Sequence, residues 1–188
     1  MEAFSDGVIA VIITIMVLEM KVPHGVDIAA LRATLPVFGV YVLSFIYLGI
    51  YWNNHHHLLY AAERIDGRAL WSNLHLLFWL SLIPFTTGWM GENHFPPVPT
   101  AIYGCVLILA AISYTILQNA LMAANGPDSV LARAIGSDVK GRISLGLYAI
   151  AIGVAFVNSW ISVALYVVVA TIWLVPDRRI ERLIAPRK

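Results

Sequence analysis

Apolar residues run along this chain in long blocks separated by short polar connections. Blocks over about 4–22, 37–60, 70–91 and 99–123 each approach the ~20 residues that cross a bilayer as helix. A longer block from Ile143 to Val175 breaks only at "VNSW", which predicts two shorter helices, about 142–157 and 160–175, joined by a turn at Asn158 and Ser159. The pattern therefore predicts an all-α membrane protein with six transmembrane helices in one domain spanning residues 1–188. Between the first two blocks, "GVDIAALRATLP" interleaves Val26, Ile28, Ala29, Leu31 and Leu35 with Asp27 and Arg32. That suits a short helix lying on the outer surface, with an ordered loop as the alternative.

Composition strengthens the membrane reading: 60% hydrophobic residues, 12% charged residues and a mean hydropathy of +0.78 lie far from soluble averages of about half apolar and a quarter charged. The net charge of +1, with no basic block and no Gly-rich phosphate loop, points away from nucleic acid. Cys105 is the only cysteine, so neither an intrachain disulfide nor a CxxC metal site exists. The first block has no basic leader segment and no small-residue cleavage site behind it, so it reads as a retained helix. Ten basic residues (Arg64, Arg68, Arg133, Lys140, Arg142 and five in the tail, Arg178, Arg179, Arg182, Arg187 and Lys188) fall on one side of the membrane, against Lys21 and Arg32 on the other. This asymmetry places both termini in the cytoplasm, which requires an even number of spans.

Polar residues inside the blocks are few and grouped. "YWNNHHHLLY" sets Asn53, Asn54, His55, His56 and His57 near the cytoplasmic end of the second helix, and "LWSNLHLLFW" sets Ser72, Asn73, His75 and Trp79 at the start of the third. Ser5 and Asp6 begin the first helix at the same depth. A carboxylate in this layer needs partners, and His55, His56, His57, Asn73 and His75 are the candidates for Asp6. The alternative is that Ser5 and Asp6 only cap the helix. Three consecutive histidines point about 100° apart and cannot all face one ion, so interhelical hydrogen bonding is favoured over a metal site.

"FSDGVIAVIITIMVLEMKVP", "YWNNHHHLL" and "LWSNLHLLFWLSLIPF" together resemble the bacterial branch of the transmembrane protein 175 family, whose animal members are endosomal and lysosomal potassium channels. The resemblance covers essentially all six spans. It implies a homotetramer in a bacterial inner (plasma) membrane, with a central pore lined by the first helix and a passive, potassium-favouring conductance. It implies no enzyme activity and no cofactor; K+ is the permeant ion, and the partners are further copies of the chain, K+ and the lipid bilayer. The usual potassium-filter sequence "TVGYG" is absent from this chain. The family motif carries Arg or Lys four residues before its Phe, a position that here would precede Met1.

At 100° per residue, Thr14, Ile15 and Leu18 each lie within about 60° of Val11, and Asp6 is about 140° away from Val11. The resemblance carries the narrow part of the pore onto these four residues, with Thr14 as the one hydroxyl ring. Asp6 then faces its own subunit as a structural clamp. Without the resemblance, the stripe reads equally as lipid-facing or helix-packing surface. Pro84 predicts a bend in the third helix, with Thr86 or Thr87 accommodating the freed carbonyl. Trp52, Trp71, Trp89, Trp160 and Trp173 read as interfacial anchors, and Trp79 as a deeper donor to the polar layer. Glu19 and Lys21 read as solvated. Two other classes stay open: a proton-coupled transporter using Asp6, His55 to His57 and His75 as a relay, and an intramembrane enzyme drawing on the Ser, His and Asp of that layer.

Overall fold

The computed structural model describes residues 1–129, 131–132 and 138–174. Arg133, the basic residues of the tail and Val175, used above for orientation and for the end of the sixth span, lie outside the described residues. Seven helices are described: α1 (Glu2–Leu18), α2 (Ile28–Tyr60), α3 (Gly67–Ser81), α4 (Ile83–Glu92), α5 (Pro97–Asn125), α6 (Val139–Val154) and α7 (Ser159–Leu174). Among the described residues there is no strand.

Local chemistry sets the helix ends. Asp27, Asp66 and Asp138 cap α2, α3 and α6, each carboxylate accepting from a backbone N–H three residues on, at 2.9, 2.9 and 2.8 Å. Asn158 closes the turn between α6 and α7 by accepting from the Trp160 N–H at 3.0 Å, where the break at "VNSW" was expected. Pro84 divides the third apolar block at Leu82 into α3 and α4. The two threonines behind it serve different purposes. Thr86 donates to the carbonyls of Leu82 and Ile83, whereas Thr87 pairs with Ser44 of α2 at 2.7 Å.

The outer segment departs from expectation. It is neither a surface helix nor a loop, because α2 runs unbroken for 33 residues from Ile28 and carries Pro36 within it. The Asp27 cap starts the helix a full two turns before the proline, and one missing N–H does not outweigh the bonds on either side. At 1.5 Å per residue α2 is about 50 Å long, well beyond the ~30 Å hydrocarbon core. Three stretches are long and apolar enough to cross a membrane: Ile28–Tyr60, Gly67–Glu92 and Pro97–Asn125; α7 is apolar but shorter.

α5 is the hub, packing against α3, α4, α6 and α7. Beside it, the Tyr47 hydroxyl donates to the Tyr166 carbonyl at 2.6 Å, the Tyr166 hydroxyl donates to the Thr100 carbonyl at 3.0 Å, and Ser44 meets the Tyr103 hydroxyl at 3.0 Å. These buried hydroxyls are paired, so the tyrosines fill the core at little desolvation cost. α1 lies at the edge, against α2, α3 and α4.

Candidate functional site: the first helix and its polar base

α1 has two unlike faces. Ser5, Ile9, Ile12 and Met16, spaced by four, three and four residues, are buried against the bundle. Val11, Ile15 and Leu18 are 55, 41 and 81% exposed, and Thr14 is exposed beside them. The four stripe residues therefore share a surface turned away from their own protomer. Thr14 Oγ1 donates to the Val11 carbonyl at 2.9 Å, which fixes the hydroxyl proton on the helix and leaves the oxygen lone pairs outward.

At the base of α1 the polar layer separates into distinct clusters. Ser5, fully buried, donates to the Met1 carbonyl at 3.2 Å and accepts from Asn73 Nδ2 at 2.9 Å. Since the Asn73 amide nitrogen is the donor there, its Oδ1 must accept from His55 Nε2 at 2.7 Å, which assigns the His55 proton to Nε2. His55 Nδ1 is buried without a hydrogen-bond partner among the described residues.

Asp6 does not join this chain. It accepts from Trp52 Nε1 of α2 at 3.0 Å, and none of His55, His56, His57, Asn73 or His75 hydrogen-bonds to it. The shared depth expected from the sequence is not enough for contact. Ser5 and Asp6 are adjacent but 100° apart, so Ser5 turns into the bundle and Asp6 turns along the flank toward α2.

His56 Nδ1 lies 2.8 Å from Glu2 Oε1 and stacks on the Trp52 ring with centroids 6.0 Å apart, while His57 touches the edge of His56. The three imidazoles thus face three directions. Glu2, Asp6, Trp52 and His56 together form a clasp between α1 and α2. His75 belongs elsewhere: its Nε2 accepts from Trp79 Nε1 at 3.0 Å, and its Nδ1 meets Ser113 Oγ of α5 at 3.1 Å. Asn53 is exposed, and Asn54 donates to the carbonyl of Ile50. Sequence reasoning missed Glu2, Trp52 and Ser113 as partners. Only Trp52 carries a signal, lying one helical turn from His56 on the same face. No group of three or more His, Cys, Asp or Glu side chains converges among the described residues.

The stripe side of α1 borders an open groove of about 990 Å³ against α4, lined by Val11 and Ile15 together with Phe4, Gly7, Phe85 and Trp89. Its outer end carries Glu19 and Glu92, and Glu92 forms an exposed ion pair with Lys21 at 3.0 Å.

These features define an all-helical, multi-pass membrane protein whose first helix presents an apolar stripe outward from a polar, hydrogen-bonded base. The chain belongs to the TMEM175 family. The family model described as "Endosomal/lysosomal potassium channel TMEM175" matches residues 1–84. A potassium channel of a Chryseobacterium species is 53% identical over 97% of this chain and 95% of its own length. A potassium channel of Streptomyces collinus is 32% identical over 87% of this chain and 84% of its own length. The crystal structure of a lysosomal potassium-selective channel TMEM175 homolog from Chamaesiphon minutus superposes with a TM-score of 0.81 at 30% identity, covering 95% of both chains.

Proposed function

We propose that this chain is one subunit of a homotetrameric, passive, potassium-favouring channel in a bacterial inner membrane, with six spans, cytoplasmic termini and α1 lining the axis. The observation that carries the reading is the two-faced α1: Val11, Thr14, Ile15 and Leu18 stand exposed on one side, and Ser5 anchors the opposite side. The names of the relatives support potassium as the permeant ion. Around a fourfold axis, Val11, Ile15 and Leu18 each form an apolar ring that closes a narrow pore sterically or by excluding water. A small outward movement of α1 readmits water. Thr14 contributes four oxygens whose protons are already held by the helix, so their lone pairs can replace part of a cation's hydration shell.

A proton relay through Asp6, His55 to His57 and His75 is less well supported, because these groups fall into separate clusters. Purified protein in liposomes under a potassium gradient distinguishes the readings. Selective flux without a pH gradient supports the channel; uptake that follows a pH gradient supports the coupled transporter and overturns the channel. Ile15→Ala together with Leu18→Ala is expected to raise the potassium current several-fold, and unchanged currents would remove the constriction from these rings. Thr14→Val is expected to weaken the preference for potassium over sodium in reversal-potential measurements.

A further inference from the structure

A separate cavity lies inside the protomer, away from α1, where α2, α5, α6 and α7 converge. Its volume of about 40 Å³ decides what it can hold. A buried water needs about 10–15 Å³ by the same measure, so the space suits roughly two or three water-sized particles and excludes a lipid chain or a larger organic ligand. Tyr47, Tyr51, Tyr114, Tyr148 and Trp173 wall it. Walls of such low polarity focus the field of any charge nearby.

Most protons around this cavity are committed to the protein itself. The Tyr47 hydroxyl donates to the Tyr166 carbonyl at 2.6 Å, Tyr114 to the Asn54 carbonyl at 3.1 Å, and Thr115 to the Ala111 carbonyl at 3.1 Å. Asn54 Nδ2 donates to the Ile50 carbonyl at 2.8 Å, and Trp173 Nε1 donates to Ser144 at 2.9 Å. What these lining residues leave over are acceptors: Asn54 Oδ1, the Thr115 lone pairs and Asp138 Oδ2. Asp138 Oδ1 accepts from the Gly141 N–H at 2.8 Å as the cap of α6, and no Lys or Arg pairs with this carboxylate among the described residues. Arg142 donates instead to the Asp138 backbone carbonyl, at 3.4 Å. Tyr51 also lines the cavity, is only 9% exposed, and its hydroxyl makes no hydrogen bond among the described residues.

Water brings as many acceptors as donors, so water alone leaves this surplus of oxygens unmatched. A cation brings no acceptor, and several oxygens can share it in place of its hydration shell. The lining supplies one carboxylate, and no group of three or more His, Cys, Asp or Glu converges among the described residues. So little charge suits a monovalent ion better than Mg²⁺ or Ca²⁺, which draw on more carboxylates or retained waters. Aromatic walls favour a weakly hydrated cation further.

We propose that this cavity binds a weakly hydrated monovalent cation such as K+, held by oxygens of Tyr51, Asn54, Thr115 and Asp138 and separate from the conduction path. The site lies within one protomer and does not depend on the tetrameric reading. Tyr51 is adjacent to Trp52, the partner of Asp6, so the ion steadies the part of α2 that holds α1.

The test follows the melting temperature of the full chain in micelles, in KCl against N-methylglucamine chloride at constant ionic strength. K+ is expected to raise it with a saturable dependence. Asp138→Asn keeps a capping oxygen and Tyr51→Phe keeps the ring. Each is expected to weaken the apparent K+ affinity about tenfold, the loss of one contact to a charged group. Thr14→Val, on the outward stripe of α1, is expected to keep the K+-dependent rise, and its loss there would assign the rise to the pore and overturn the site. Tl+ in place of K+ in crystals of the unaltered protein is expected to give an anomalous peak in the cavity. No rise with K+, a rise that survives unchanged when Asp138→Asn and Tyr51→Phe are combined, or a cavity holding only water after Tl+ soaking would each overturn the proposal.

Discussion

α1 and α5 are both apolar helices with a hydroxyl residue turned inward, yet the bundle treats them differently. α5 is enclosed by four helices and buries Tyr103, Leu107, Ala110, Leu117 and Leu121. α1 buries one narrow row and leaves Val11, Ile15 and Leu18 outside. A helix surrounded by its own chain has its packing settled within the protomer. One with an uncovered face is held by a few directional contacts at its base, and its remaining surface is free to meet other copies, ions or lipid. Stability and function are therefore expected to separate along these two helices.

The largest effect is expected in α5. A Cβ on Gly104 would overlap the Tyr166 phenol and crowd Ile152, so Gly104→Ala should cost about 1–3 kcal/mol and lower the melting temperature in micelles. Val11→Ala in α1, at a position 55% exposed, should leave the melting temperature unchanged. Equal losses at the two sites would break the comparison.

Next comes the base of α1. Asn73→Ala leaves the Ser5 hydroxyl and His55 Nε2 buried without their shared partner. The expected loss is about 1–2 kcal/mol, nearer the lower figure because polar groups inside membranes find substitutes. A melting temperature equal to that of the unaltered protein would show that the chain of bonds does not hold α1.

A smaller loss is expected at the flank. Asp6→Ala removes the acceptor for Trp52 Nε1 at a half-buried site and should cost about 0.5–1.5 kcal/mol. Asp6→Asn keeps an oxygen there and should recover most of it. Because this contact joins the proposed pore helix to α2, altered gating or assembly should accompany the loss. A double-mutant cycle with Trp52→Phe measures the coupling directly, and strict additivity would argue against the clasp.

Sequence positions explain how far each feature was legible. The apolar blocks reveal the helices, because a run of about twenty apolar residues has few other stable solutions in lipid. The turn at Asn158 is legible for the same reason: an amide within an apolar run is costly unless it bonds locally, and here it does. The start of α2 was not legible. Pro36 and Arg32 suggest an end to the helix, while the Asp27 cap nine residues before the proline starts it earlier. In the candidate site, the depth shared by Ser5, Asp6, His55, Asn73 and His75 follows from counting residues along antiparallel helices. Their pairing does not, since neighbours in sequence diverge by 100° and the bonding partner depends on where the adjacent helix axis passes.

By itself the sequence determines an all-helical membrane protein and the positions of its main helical blocks. These depend on hydropathy and on the fixed 3.6-residue turn, both local properties of the chain. Only the tertiary structure decides that Ser5 rather than Asp6 enters the bundle, that Trp52 and Glu2 complete the clasp, and that His75 pairs with Trp79 and Ser113. Those choices depend on the relative placement of helices far apart in sequence. A shift of one helix by a single residue rotation would exchange every one of these partners while leaving the apolar pattern unchanged.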